Sequence, residues 1–128
     1  MLILLDTHVL LWALYAKAKL SDHAAELLRS EANRCVFSAA SIWEIAIKAQ
    51  LSRNGFRADA SVVAEDARAA GLAEFPITAS VAATVSALPL HHHDPFDRLL
   101  VAQAMAQPAR LLTANRALVP YSELVMLV

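Results

Sequence analysis

Short apolar runs and stretches with helical periodicity alternate along the chain. A short continuous apolar run is typical of a strand buried on both faces, whereas an apolar stripe repeating every three to four residues indicates an amphipathic helix. In the clearest helix, Ala24, Leu27 and Leu28 share one stripe and charged residues lie away from it. The pattern predicts strands at 3–5, 35–37, 73–77, 110–113 and 124–128, and helices at 9–15, 21–32, 39–51, 59–70, 79–88 and 95–106.

Residues that start or stop helices stand at the ends of these segments. Asp94 and Pro95 combine an N-cap with a proline at the first helical position, and Gly71 suits the position just beyond a helix. Strands that alternate with helices predict a single α/β domain over residues 1–128, a three-layer α/β/α sandwich with a mostly parallel central sheet. Ligands of such sheets bind at the carboxyl ends of the strands. Functional residues are therefore expected at that edge.

Asp6 directly follows the first predicted strand and should lie at this edge. It also has a purely structural interpretation, as a turn or capping residue before the next helix. Thr7 could cap that helix equally well, which would free Asp6 for a functional role. Alternatively, Thr7 could offer its hydroxyl to a metal-bound water.

Glu44 occupies an otherwise apolar segment, between Trp43 and Ile45, where a carboxylate is rarely buried without a partner. The structural alternative is a capping box in which Glu44 reaches back to Ser41. Lys48 follows one helical turn later. It either pairs with Glu44, which is worth only about 0.3–0.5 kcal/mol, or contacts a phosphate.

Asp94 and Asp97 stand three residues apart at the start of the helix at 95–106. Asp94 is expected to be the cap, so Asp97 is not needed for that role, although the positive first turn favours it. If Asp6, Glu44 and Asp97 converge within about 5 Å, each like-charge pair costs on the order of 3 kcal/mol at an effective dielectric constant near 20. Mg²⁺ or Mn²⁺ would compensate this repulsion and could activate a water for phosphodiester cleavage.

The composition of the chain predicts a protein partner and a cellular compartment. Hydrophobic residues make up 58% of the chain and charged residues 18%, yet no apolar run reaches the roughly 20 residues of a membrane-spanning helix. The surplus apolar surface predicts burial against another protein. The lack of a signal-peptide pattern and the single Cys35 predict a cytoplasmic protein with a buried thiol. A net charge of −1 requires that any polyanion be bound through local basic side chains and cations.

Several other chemistries are poorly supported. The two glycines, Gly55 and Gly71, exclude a glycine-rich phosphate loop, and no serine stands in a nucleophile-elbow pattern. The consecutive His91, His92 and His93 are expected to be exposed loop residues, near a substrate at most. We assign them no metal, because adjacent side chains rarely converge on one ion.

Four segments together carry a family resemblance. They are 4–8 (LLDTH), 41–48 (SIWEIAIK), 93–104 (HDPFDRLLVAQA) and, with one change, 111–115 (LLTAN). They span nearly the whole chain in the family's order, and the third is long and specific. The chain resembles the PIN-domain nucleases of the VapC toxin type.

The resemblance implies a PIN-like fold and a Mg²⁺- or Mn²⁺-dependent endoribonuclease that inhibits growth when released from its antitoxin. The family's acidic positions fall on Asp6, Glu44 and Asp97, with Asp94 as an additional carboxylate beside them. A fourth acidic position is Asn115 here, whose carbonyl could still ligate but brings no charge. This change implies weaker binding of a second cation. Thr113 is expected to support the site by hydrogen bonding.

The resemblance also implies a homodimer and an antitoxin segment bound in an apolar groove near the active site. Candidate antitoxin contacts are Trp12, Tyr15 and Trp43, for which core packing is the alternative. Candidate phosphate contacts are Lys48, Arg53, Arg57 and Arg98, although Arg98 could instead pair with Asp97. Two other functions stay open: a metal-dependent DNA nuclease, and a catalytically weak PIN-fold binding protein marked by Asn115.

Overall fold

The fold alternates strands and helices, as the sequence predicts. The computed structural model describes residues 1–51 and 58–128. The strands are β1 (Leu2–Leu5), β2 (Arg34–Ser38), β3 (Ala73–Phe75), β4 (Arg110–Thr113) and β5 (Val125–Leu127). The α-helices are α1 (Thr7–Tyr15), α2 (Asp22–Arg29), α3 (Ala39–Leu51), α4 (Ala60–Ala69), α5 (Ala79–Thr84) and α6 (Pro95–Ala106). Short 3₁₀ turns cover Lys17–Lys19, Val85–Ala87 and Arg116–Tyr121.

The five described strands form one sheet in the order β3-β2-β1-β4-β5. Every pairing among them is parallel, so the expectation of a mostly parallel sheet is confirmed and extended. β1 occupies the centre, and its Ile3, Leu4 and Leu5 are completely buried. The carboxyl ends of β1 and β4 therefore lie side by side, which brings the residues after Leu5 next to those around Thr113.

Hydrophobic cores cover both faces of the sheet. Ile3 and Leu5 belong to a core packed with Val9 of α1, whereas Leu4 belongs to a second core that includes Leu100 of α6. Neighbouring strand residues point to opposite faces, so this division follows from the pleat of β1. The structure is thus the predicted three-layer sandwich. No helix in the described part of the chain has the length and apolar character needed to cross a membrane.

Two helices end earlier than their apolar patterns predict. α2 ends at Arg29, and the Asn33 side chain donates to the Leu27 carbonyl beyond it. α5 gives way to a 3₁₀ turn where the hydroxyls of Thr84 and Ser86 bond to carbonyls three residues earlier. Such local bonds compete with the regular helical pattern. Gly71, with a φ of +90°, occupies the predicted position after α4.

Arg98 has a structural role that the sequence did not reveal. Its side chain is buried, and its guanidinium donates at 3.0–3.4 Å to the carbonyls of Val85, Leu88, Pro89 and His92 and to the Tyr121 hydroxyl. Both predictions for Arg98, a phosphate contact and an ion pair with Asp97, are therefore wrong. The donors are used to hold the loop that leads into α6.

We predict that Arg98→Met lowers the free energy of unfolding by about 3 kcal/mol, because it leaves several loop carbonyls without their donor. Urea denaturation measures the change. Arg110→Met is the matched control, since the exposed Arg110 donates to one carbonyl, that of Glu123. Equal stability of the two variants would contradict the bracing role.

Candidate active site

Asp6 lies at the carboxyl end of β1 with both carboxylate oxygens engaged. Oδ1 accepts a hydrogen bond from the Val9 amide at 2.8 Å, so Asp6 itself is the N-cap of α1. Oδ2 accepts from the hydroxyl of Thr113, the last residue of β4, as the predicted supporting role of Thr113 requires. Burial raises the pKa of Asp6 and the charge of Glu44 adds to the rise, against the hydrogen bonds from Thr113 and Val9.

Thr7 does not cap α1, contrary to one sequence interpretation, because Asp6 fills that position. Its buried hydroxyl instead donates to Glu44 Oε1 at 2.6 Å and lies 2.9 Å from Ser41 Oγ. The hydroxyl is thus used in positioning Glu44. The alternative role of binding a metal-held water is not supported by these contacts.

Glu44 is buried on α3, with only 2% of its surface exposed. It does not form a capping box with Ser41, because its carboxylate is bonded to Thr7 and Lys48. The Ser38 hydroxyl accepts from the Ala40 amide at this end of α3. The apolar surroundings of Glu44 correctly indicated a partnered carboxylate.

Lys48 pairs with Glu44 Oε2 at 2.5 Å. Partial burial lowers the pKa of Lys48, but the carboxylates of Glu44, Asp94 and Asp97 more than offset this and raise it overall. The ammonium therefore stays charged near the acidic side chains. This placement leaves a phosphate contact by Lys48 as a prediction.

Asp94 and Asp97 begin α6 side by side. Asp94 is the expected cap, and Oδ1 alone accepts its capping bonds, from the amides of Phe96 and Asp97. The pKa of Asp97 is raised by burial and by the charge of Asp94, with smaller contributions from Glu44 and Asp6. The electrostatic influence of these acids on Asp97 follows from their common position at one edge of the sheet.

His92 is the site residue that sequence reasoning missed. Its Nε2 lies 3.0 Å from Asp97 Oδ2, whereas the exposed His91 packs against Tyr121. From the sequence we assign no metal to the three consecutive histidines because adjacent side chains rarely converge on one ion, but one of them can reach the site alone. Its place two residues before the Asp94 cap was the available signal.

Asn115 does not offer its carbonyl to the site. Its Oδ1 accepts from the Ala117 amide as the cap of the following 3₁₀ turn, and its Nδ2 lies 3.4 Å from Asp97 Oδ2. These contacts do not support the prediction that Asn115 is a weak metal ligand, although Asn115 lines the pocket with Asp6 and Asp97. An amide NH₂ group donates hydrogen bonds and does not ligate cations.

The acids approach one another less uniformly than predicted. Among the described histidine, cysteine and acidic side chains, those with ligand atoms mutually within 4.8 Å are His92, Asp94 and Asp97. Asp6 and Glu44 fall outside this tight group, so the described side chains do not show the expected convergence of Asp6, Glu44 and Asp97, although their charges influence one another. Asp6 and Asp97 nevertheless line the same pocket of about 260 Å³.

This donor set fits a divalent cation. The bonds of Asp94 go to Oδ1 and those of Asp97 to Oδ2, which leaves a second oxygen on each carboxylate within the described part of the chain. Carboxylate oxygens suit Mg²⁺ and Mn²⁺. A cation would also relieve the repulsion that raises the pKa of Asp97.

The remaining predicted residues surround this centre or lie outside the described residues. Trp12 lines the pocket with Asp6 and Asp97, and its contact with an antitoxin stays a prediction. Tyr15 is exposed and bonds to Asp66, while Trp43 is 56% exposed and packs edge-on against Phe96. Arg53 and Arg57 lie outside the described residues, so their phosphate contacts stay predictions.

Comparison with known proteins identifies the family. The PIN domain family model matches residues 3–123, which is nearly all of the chain, and the protein belongs to the PIN domain family. PIN domains are nucleases as a family, so the chain is assigned at this level to the phosphodiester hydrolases. No curated protein sequence matches it significantly.

Two solved structures share the fold. VapBC2 from Rickettsia felis, bound to a DNA fragment from its promoter, has a TM-score of 0.67 and 16% identity over 100% of this chain and 98% of that chain. FitAcB from Neisseria gonorrhoeae has a TM-score of 0.52 and 18% identity over 90% of this chain and 88% of that chain. At these identities the likeness establishes a common fold.

We predict that Thr113→Val lowers the free energy of unfolding by about 1.5–3 kcal/mol, because the buried Asp6 carboxylate loses a hydrogen bond. Thr113→Ser keeps the hydroxyl and is the control. Urea denaturation near neutral pH compares the two. Similar losses in both variants would show that packing of the threonine methyl, and not the bond to Asp6, accounts for the effect.

Proposed function

We propose that this protein is a divalent-metal-dependent endoribonuclease that serves as the toxin of a toxin–antitoxin pair. One observation carries the proposal. Asp6, Glu44, Asp94 and Asp97 come from three separate parts of the chain and lie near one edge of the sheet, where their charges influence one another. Membership of the nuclease family and the VapC-type motifs support the same conclusion.

In this proposal, Asp94 and Asp97 bind the cation, and Asp6 and Glu44 are held beside it by hydrogen bonds. Asp94 offers its unused oxygen and Asp97 one of its carboxylate oxygens to the cation, and Thr113 orients Asp6 toward the same pocket. Glu44 is held from one side by Thr7 and from the other by Lys48, so its charge stays fixed beside the site. Bound Mg²⁺ or Mn²⁺ would supply an activated water and stabilise the leaving oxygen.

RNA is the proposed substrate because of the resemblance to VapC toxins. The chain carries a net charge of −1, so binding of a polyanion depends on local cationic groups. Lys48 lies beside the acids, where it can contact a phosphate. Trp12 and His8, whose rings lie 6.2 Å apart, form one wall of the pocket. Unpaired bases stack on such rings, which favours single-stranded RNA over a duplex.

The proposed antitoxin would cover apolar surface near α1. A pocket of about 460 Å³ is lined there by Leu14, Leu20 and Leu28, with Lys17 and Arg29 also in its wall. This chemistry fits an apolar segment that carries acidic residues. The exposed Tyr15 and Trp43 are further proposed contacts. A homodimer and a cytoplasmic location are part of the same proposal and rest on the resemblance and on the composition.

We predict that Asp97→Asn lowers Mg²⁺- or Mn²⁺-dependent cleavage of single-stranded RNA by at least about 100-fold, because a charged ligand is lost. Asp22→Asn, at the exposed start of α2, is the control and should cleave normally. Gel analysis of matched RNA and DNA oligonucleotides measures both substrates. Preferential cleavage of DNA would favour the DNA-nuclease alternative, and metal-loaded protein that cleaves neither would favour the binding-protein alternative.

We predict that Mg²⁺ raises the Tm at neutral pH and that the gain declines as the pH falls. The raised pKa of Asp97 means that its proton is bound more tightly in the folded state. In metal-free protein, the stability gained from this proton is fully present below the ordinary aspartate pKa of 3.8. It is lost as the pH rises through the pKa of Asp97 in the folded state.

Stabilisation by the metal has the opposite pH dependence, because the cation competes with the proton on Asp97. The gain in Tm should therefore begin to fall at a higher pH than an ordinary aspartate would give. Thermal unfolding with and without Mg²⁺, from neutral to acidic pH, measures this gain in Tm. A gain that is equally large in Asp97→Asn would contradict metal binding at this site.

A further inference from the structure

We infer that His92 is a nitrogen ligand of the metal site, so that the centre is a mixed nitrogen–oxygen site and not an all-carboxylate one. This inference rests on the proposed function. Its basis is the group formed by His92, Asp94 and Asp97, whose ligand atoms lie within 4.8 Å of one another. These three side chains are the only described set of at least three histidine, cysteine or acidic residues with that spacing.

The position of His92 is fixed by the fold. Its amide donates to the Tyr121 hydroxyl at 2.9 Å, and its carbonyl accepts from the buried Arg98 at 3.4 Å. Arg98 belongs to α6, the helix that also carries Asp97. The imidazole and the carboxylate are therefore held relative to each other by the same braced loop and helix.

The neighbouring histidines do not share this position. His91 packs edge-on against Tyr121, with ring centroids 5.0 Å apart, and His93 is exposed. Only His92 of the three belongs to the tight group with Asp94 and Asp97 among the described residues. The difference makes His93 a matched control for His92.

The spacing of the ligand atoms agrees with coordination of one ion. In an octahedral shell with bonds of about 2.1 Å, atoms in adjacent positions are about 3.0 Å apart. His92 Nε2 and Asp97 Oδ2 are 3.0 Å apart. A hydrogen bond between the two groups has a similar length, so the experiment has to distinguish a ligand from a hydrogen-bonding partner.

A nitrogen ligand changes the metal preference. Imidazole suits transition metals, whereas Mg²⁺ prefers oxygen, so His92 should favour Mn²⁺ over Mg²⁺. Loss of His92 should weaken Mn²⁺ binding by roughly 10- to 100-fold, on the scale seen when groups that support a metal site are removed. Mg²⁺ binding should change less.

The test loads the full-length protein with Mn²⁺ and records pulsed electron paramagnetic resonance, which detects nitrogen bonded directly to the ion. Wild type and His93→Ala should both show the nitrogen signal, and His92→Ala should lose it. His92→Gln can still donate to Asp97 but has no imidazole nitrogen, so it should also lose the signal. Calorimetric titration with Mn²⁺ and Mg²⁺ should show a reduced preference for Mn²⁺ in both His92 variants.

Two results would overturn the inference. If Mn²⁺ binds to wild type without a directly bonded nitrogen, His92 only positions Asp97, and the proposed nuclease function stands. If the nitrogen signal persists in His92→Ala, another side chain supplies it. Failure of wild type to bind either ion would instead remove both the inference and the metal-dependent function, so the two failures are distinguishable.

Discussion

Repulsion among carboxylates is the constraint on which the site depends. Asp6, Glu44 and Asp97 each lose hydration on burial or partial burial, and their charges disfavour one another. The fold holds them in place with specific partners: the Thr113 hydroxyl on Asp6, the Thr7 hydroxyl and Lys48 on Glu44, and the His92 imidazole beside Asp97. These partners offset part of the electrostatic cost without neutralising the acids. The remaining negative charge favours binding of a cation.

The bracing around the site is as important as the acids. Arg98 is a cationic residue in the same motif as Asp94 and Asp97. Its guanidinium nevertheless donates to the loop backbone and is directed away from the pocket. That loop carries His92, and the helix that carries Arg98 also carries Asp97. The position of one site residue relative to another is thus set by buried and partly buried hydrogen bonds. Tyr121 extends this bracing to the 3₁₀ turn that precedes β5.

Periodicity and capping residues predicted the strands, the helices and their sandwich, because these depend on local patterns. The bounds of α3 and α6 agree with the prediction, since Leu51 and Ala106 end apolar stripes and Pro95 starts a helix. The same local patterns could not distinguish Asp6 from Thr7 as the cap. That distinction depends on Thr113 and Glu44, which are distant in sequence. The role of Arg98 and the contact of His92 with Asp97 were missed for the same reason: tertiary packing determines their partners.

The order of the strands also has a consequence for biosynthesis. Asp6 leaves the ribosome 107 residues before Thr113, which holds its second oxygen. β1 cannot acquire β4 as its neighbour until that late segment has emerged. A nascent chain therefore carries Asp6 without the partner that orients it while the residues up to Thr113 are being made. Completion of the acidic site is consequently coupled to synthesis of the late segment that forms β4.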